Sequence, residues 1–208
     1  MARECGIAMG PTAYFDLGAD LAAFGTQRFD RVRGLRVPVH SFAGALHADF
    51  RIPSIDYETV LRATGFFTQN AQEVMAAFRL CVFNVVFNNR DDHAKNFSLR
   101  MNEACRWDFA PGYDLTFNAG PGGYHQTAVM GEALSPGRSH LLALAAKLDL
   151  RTRDVLHIID RTCTVAEGLA KALRDAGVRR ESVAEIAGVV AANMRRCSAP
   201  STAAPSGI

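Results

Sequence analysis

Residues 82–99, VFNVVFNNRDDHAKNFSL, decide how this chain is read. An almost wholly apolar run, Val82–Phe87, passes directly into two adjacent carboxylates, Asp91 and Asp92, together with His93, Lys95 and the amides Asn88, Asn89 and Asn96. Upstream, Asn70 with Glu73 three residues later makes a capping box, and VMAAFRLCVFNVVF is long and apolar enough for a buried helix. The polar loop therefore begins where that helix should end. Acids at a helix C-terminus are disfavoured by the helix dipole, so plain capping is a poor explanation of Asp91 and Asp92.

Working outward, NFSLRMNEACRWDF reads as two short strands, 97–100 and 105–109, around a turn at Asn102 and Glu103. APGYDL breaks the second strand at Pro111 and Gly112, and a Gly-rich stretch to Arg138 reads as a long loop with room for one strand. Helical patterning covers 139–150, 154–176 and 182–196, the last opened by a capping box of Ser182 with Glu185. Residues 1–24 are short apolar pieces cut by Gly10-Pro11 and Gly18, and 24–44 have strand-like and charged portions that resist assignment. The fold class expected is predominantly α (α+β), a large helical lobe with a small β-hairpin. The tail, residues 197–208, is rich in small residues and proline and is expected to be disordered.

With 208 residues and 49% hydrophobic content, the chain can bury a substantial core. Its 23 basic and 21 acidic residues are too evenly balanced to indicate a nucleic-acid surface, and no direct nucleic-acid binding is expected. Five scattered cysteines without a C-x-x-C pair argue against a disulfide framework or a zinc site and suit a reducing cytoplasm. No signal peptide or membrane span is recognisable, so a cytoplasmic protein without membrane contact is expected.

Asp91 and Asn96 stand five residues apart in one loop, and a hairpin would return the chain so that Asp114 lands beside them. A carboxylate to accept a hydroxyl proton, with an amide oxygen and a second carboxylate to hold Mg²⁺, is what phosphoryl transfer requires, and protein kinases place these groups in this order. The Gly-rich stretch at 120–123 has neither G-x-G-x-x-G nor a lysine at Walker spacing, and reads as a flexible loop, not a phosphate cradle. His93 lacks a partner histidine at ligand spacing, which favours an orienting or structural role over metal binding. Arg28, Arg31, Arg33 and Arg36 read as an exposed strand end, and Phe83, Phe87 and Trp107 as core.

RDDHAKNFSL followed by WDFAPGYDL, with QRFDR at 27–31, resembles the HipA family of bacterial Ser/Thr protein kinases, toxins of HipBA-type toxin–antitoxin modules. The resemblance runs from residue 1 to about residue 196, with residues 1–40 corresponding to the end of the small lobe and the hinge. It implies that Asp91 is the catalytic base, that Asn96 and Asp114 bind magnesium, and that Gln27 and Phe29 contact the adenine of ATP, with His93 and Tyr113 lining the same site. Asp92 falls outside the base position, and its replacement by Asn is expected to matter much less to phosphorylation. The implied partners are a protein substrate and a HipB-like antitoxin. The family's phosphate loop, its strand lysine and its helix glutamate do not occur in these 208 residues, and MARECGIAMG looks like the end of the glutamate-bearing helix. A fragment, a mis-started frame or one half of a split kinase with a separate small-lobe chain are the expectations. Two other functions remain open: a catalytically inactive interaction module, and a small-molecule phosphotransferase of the aminoglycoside-kinase type. In the latter a histidine usually precedes the Asp, where Arg90 stands here.

Overall fold

The apolar run before the polar loop forms the central helix of the molecule. This computed structural model describes residues 1–19, 21–49, 51–52 and 55–198. In chain order the elements are β1 (Thr12–Gly18), β2 (Leu21–Thr26), β3 (Arg31–Val32), β4 (Leu35–Arg36), β5 (Val39–Ser41), α1 (Phe42–Ala45), α2 (Tyr57–Thr68), α3 (Ala71–Phe87), β6 (Ser98–Met101), β7 (Trp107–Phe109), α4 (Arg138–Lys147), α5 (Thr152–Glu167), α6 (Leu169–Asp175) and α7 (Arg180–Ser198). The architecture is mixed α+β, with the β5–β6–β7 sheet against a helical body and two small antiparallel hairpins, β1–β2 and β3–β4.

Helix α3 packs against α2, α5, α7 and β7, so it is apolar nearly all round, and Phe78, Cys81, Val82 and Val86 are fully buried. Asn70 caps it, its side chain accepting from Gln72 N at 2.9 Å. Glu73 does not close the expected box; its Oε2 accepts from Phe109 N at 3.0 Å and ties the first turn of α3 to β7. The helix stops at Asn88, whose φ of 57° only a few residue types besides Gly adopt readily.

The expected hairpin is present as β6 and β7, with Leu99 opposite Phe109, and β5 adds a third antiparallel strand through His40 opposite Leu99. The second strand starts at Trp107 instead of Cys105 because Asn102 Oδ1 accepts from both Ala104 N and Arg106 N at 3.0 Å, which curls this segment into the turn. Helix α2 was not assigned from sequence, although Asp56 is a regular N-cap, accepting from Thr59 N at 2.7 Å. One helix expected over 154–176 is two, α5 and α6, parted at Gly168. Helix α7 begins at Arg180, so Ser182 and Glu185 lie inside it and form no capping box. It also runs on through Ser198 with Cys197 fully buried, so the expected tail cannot begin at 197; residues 199–208 lie outside the described residues.

At the other end, Ile7 N donates to Ala2 O at 3.0 Å and Gly6 N to Arg3 O at 2.9 Å, with Gly6 at φ 80°. That is the hydrogen-bond pattern of a helix C-terminus. The β1–β2 hairpin stands away from the core, with Tyr14, Phe15, Leu17, Leu21 and Phe24 all exposed. Arg28 and Arg31 both pair with Asp30, and the Arg28 hydrogen bonds hold the Asp30 carboxyl at about 2. Trp107 is only half-buried, whereas Phe83 and Phe87 are core. No helix among the described residues is long and apolar enough to cross a membrane.

The docking of α7 makes a chemical prediction. Burial, aided by the neighbouring Cys163 thiol, pushes Cys197 up to about 12, and Cys81 is buried on α3, while Cys105 is exposed in the hairpin turn. Iodoacetamide at about pH 8 should label Cys105 in the native protein and reach Cys81 and Cys197 only on unfolding. Peptide mass spectrometry reads the order; native labelling of Cys197 at the rate of Cys105 would contradict the packing of α7.

Candidate active site

The polar loop is closed on itself by Asn96, whose Nδ2 donates to the Asp91 carbonyl at 2.7 Å, while Asn96 N donates to His93 O at 2.8 Å. This fixes the five-residue spacing noted in the sequence and leaves the Asn96 amide oxygen uncommitted among the described residues. Strand-side contacts hold the loop from below: Phe42 N donates to Phe97 O and Ala43 N to Ala94 O. The Asp91 side chain is 40% exposed, and its Oδ1 accepts from Gln126 Nε2 at 2.6 Å. His93 Nε2 stands 3.8 Å from the same oxygen, beyond hydrogen-bond reach, and His93 Nδ1 is buried without a partner among the described residues.

Asp92 points the opposite way, into the core, with no exposure at all. Its Oδ2 accepts from the Tyr57 hydroxyl and from His125 Nδ1, both at 2.9 Å, and its Oδ1 from Gln126 N at 2.9 Å and Thr127 N at 3.2 Å. Thr127 Oγ1 donates to the Asp92 carbonyl. Behind it, Asn89 Nδ2 donates to Asn84 Oδ1, and Asn84 Nδ2 to the Tyr57 oxygen. Burial and the Asp92 charge push the Tyr57 hydroxyl well above the ordinary phenol range, so it stays a donor. Past the glycines at 120–123, the returning segment is packed into the core. His125, Thr127 and Val129 are buried, and Tyr57 N donates to Ala128 O at 2.9 Å. Gly120 makes this return possible: at φ 72° an added Cβ would lie 2.2 Å from Tyr124 O and 2.7 Å from Arg90 Cβ. Only isolated bridges, not the expected strand, occur there.

Gln27, Phe29 and Tyr113 line one cavity of about 330 Å³ with Gly10 and Ser98. The Phe29 and Tyr113 rings lie 5.5 Å apart, and Gly10 lets the chain pass where a Cβ would sit 2.6 Å from Gln27 O. Tyr113 OH bonds to Ser98 Oγ at 2.6 Å and to the Lys95 carbonyl, next to Asn96. Burial raises the Tyr113 hydroxyl above its usual range, and the Asp114 charge adds to this. Asp114 itself is exposed, its carboxylate takes no hydrogen bond among the described residues, and its φ is 54°. Asn89 Nδ2 reaches its carbonyl at 3.5 Å. The structure therefore gathers Gln27, Phe29 and Tyr113 in one cavity and Asp91, His93 and Asn96 in one loop, while His93, Asn96 and Asp114 do not line that cavity. Asn96 and Asp114 offer free oxygens suited to Mg²⁺, and no cluster of three or more His, Cys, Asp or Glu occurs among the described residues.

Gln126, His125, Thr127 and Tyr57 were not singled out in the sequence. Asp92 was given no role, yet four donors converge on its two oxygens. Asp92→Asn would turn an amide toward donors, and should cost about 2–4 kcal/mol, since breaking charged buried hydrogen bonds is expensive. A thermal melt should fall by about 5–15 °C. An unchanged melting temperature would contradict the network.

The family model of the HipA-like C-terminal domain matches residues 1–170. No curated protein sequence matches. Among solved structures, the toxin–antitoxin complex of HipA, HipB and its operator DNA from Shewanella oneidensis MR-1 contains a similar chain, with a TM-score of 0.73 and 18% identity over 94% of this chain and 53% of that one. At that identity the likeness is one of fold, and this chain spans about half the length of that relative. With the family model covering most of its length and a HipA-like fold, the chain belongs to the HipA family.

Proposed function

We propose that these residues form the large lobe of a HipA-like Ser/Thr protein kinase, with Asp91 as general base. The observation that carries this reading is the state of Asp91: a half-exposed carboxylate at the end of a buried helix, its backbone carbonyl clamped by Asn96 and one oxygen held by Gln126. In this reading Gln27 and Phe29 present the adenine edge of ATP with Tyr113 below, and Asn96 and Asp114 hold magnesium, which would neutralise charge on the phosphates. The acceptor Ser or Thr hydroxyl gives its proton to Asp91 as its oxygen attacks the γ-phosphorus, and ADP leaves. Asp92 keeps the loop in place and touches neither reactant.

Groups that grip the β- and γ-phosphates from above are absent from these 208 residues. Phosphoryl transfer depends on positioning and charge stabilisation, so residues 1–208 alone should bind Mg·ATP weakly and transfer little phosphate. A small lobe supplied as a separate chain, covering the apolar side chains exposed on β1 and β2, would restore both. A second reading, an inactive module that binds a HipB-like antitoxin, draws support from that same exposed hairpin and from the antitoxin complex of the Shewanella relative.

Calorimetric titration with Mg·ATP and a radiolabelled phosphate-transfer assay, with and without a small-lobe chain, test the proposal. Asp91→Asn should lower transfer by about 10²–10⁴-fold while the melting curve stays that of the wild type. Undiminished transfer by a folded Asp91→Asn protein would remove the base, and tight ATP binding by the isolated chain would refute the need for a separate lid.

A further inference from the structure

We infer that Gln126 is the positioning residue for Asp91, holding Oδ1 so that Oδ2 is the oxygen that accepts the hydroxyl proton; this rests on the kinase reading above. Two successive aspartates grip this one glutamine. Asp92 Oδ1 accepts its backbone N–H at 2.9 Å, and Asp91 Oδ1 accepts its side-chain amide at 2.6 Å. The next residue continues the grip, with Thr127 N on Asp92 Oδ1 and Thr127 Oγ1 on the Asp92 carbonyl. The main chain of 126–127 is therefore fixed by the core, and the carboxamide of Gln126 is aimed from a rigid base.

Asp91 has few other restraints. Among the described residues no donor reaches its Oδ2, and His93 is 3.8 Å from Oδ1. Without Gln126 a side chain 40% exposed would rotate freely about its χ angles and present either oxygen to solvent. A neutral amide suits the task, because it orients the carboxylate without setting a full positive charge beside a group that must take a proton. The arrangement also gives the pairing of the two acids a division of labour: Asp92 places Gln126, and Gln126 places Asp91.

Two variants separate orientation from structure. Gln126→Leu removes the donor at similar size, and Gln126→Glu keeps the shape but offers an acceptor where a donor is needed. In the chain supplemented with a small-lobe partner, both should lower kcat by about 10- to 100-fold, the scale of a misplaced catalytic group, with KM for ATP and the melting temperature unchanged. A contact readable without turnover is the side-chain amide resonance of Gln126 in a nitrogen-15 spectrum, assigned by its loss in Gln126→Leu. It should move toward the position of a free carboxamide in Asp91→Ala. Unchanged or raised kcat in Gln126→Leu, alongside loss of activity in Asp91→Asn, would overturn the inference and leave the kinase reading standing. A resonance indifferent to Asp91→Ala would overturn it regardless of activity. If the resonance moves but Asp91→Asn retains full activity, the contact is upheld and the kinase reading is what fails.

Discussion

A carboxyl group buried in the core needs hydrogen-bond partners in place of the water it has lost. Asp92 is such a group, and the structure around the loop follows from meeting its demand. The donors come from two places far apart in sequence: Tyr57 at the start of α2, and the returning loop, through the His125 ring and the backbone of Gln126 and Thr127. Supplying them pulls α2, the polar loop and the Gly-rich segment to one point. The amide chain from Asn89 through Asn84 to Tyr57 extends the same constraint into α3.

Asp92 faces inward, and the Asp91 side chain is the one left partly exposed. The outward one gains exposure, a defined neighbour in Gln126 and a backbone clamp in Asn96. A pair of acids that looks redundant in sequence is thus one buried anchor, Asp92, and one partly exposed carboxylate, Asp91.

The sequence made α3 and the hairpin legible, since a long apolar helix and a short alternating pair leave strong periodic signals. Asn70 was readable as a cap, but Glu73 was not readable as a tie to Phe109, because a side chain that serves a residue 36 positions away leaves no local pattern. Asp91, Asn96 and Asp114 stood out by spacing, and the family match covers them. Gln126 did not, for its stretch shows no periodicity and its partners lie 34 and 35 residues earlier. Asp92 is visible in the sequence but its burial is not: nothing in a one-dimensional string tells which of two neighbouring acids is buried. Boundaries slipped where a local competitor acted, Asn102 curling the turn through Cys105 and Gly168 splitting a helix.

In the proposed kinase reading, the loop of Asp91 and the turn of Asp114 meet around one magnesium–nucleotide site. Manganese, substituted for magnesium, broadens the amide signals of residues close to it, and this needs only transient occupancy. With ATP present, trace Mn²⁺ added to nitrogen-15-labelled protein should broaden Asn96 and Asp114 first, and leave Cys105 and the α5 amides sharp. Broadening centred elsewhere, with Asn96 and Asp114 unaffected, would contradict the account.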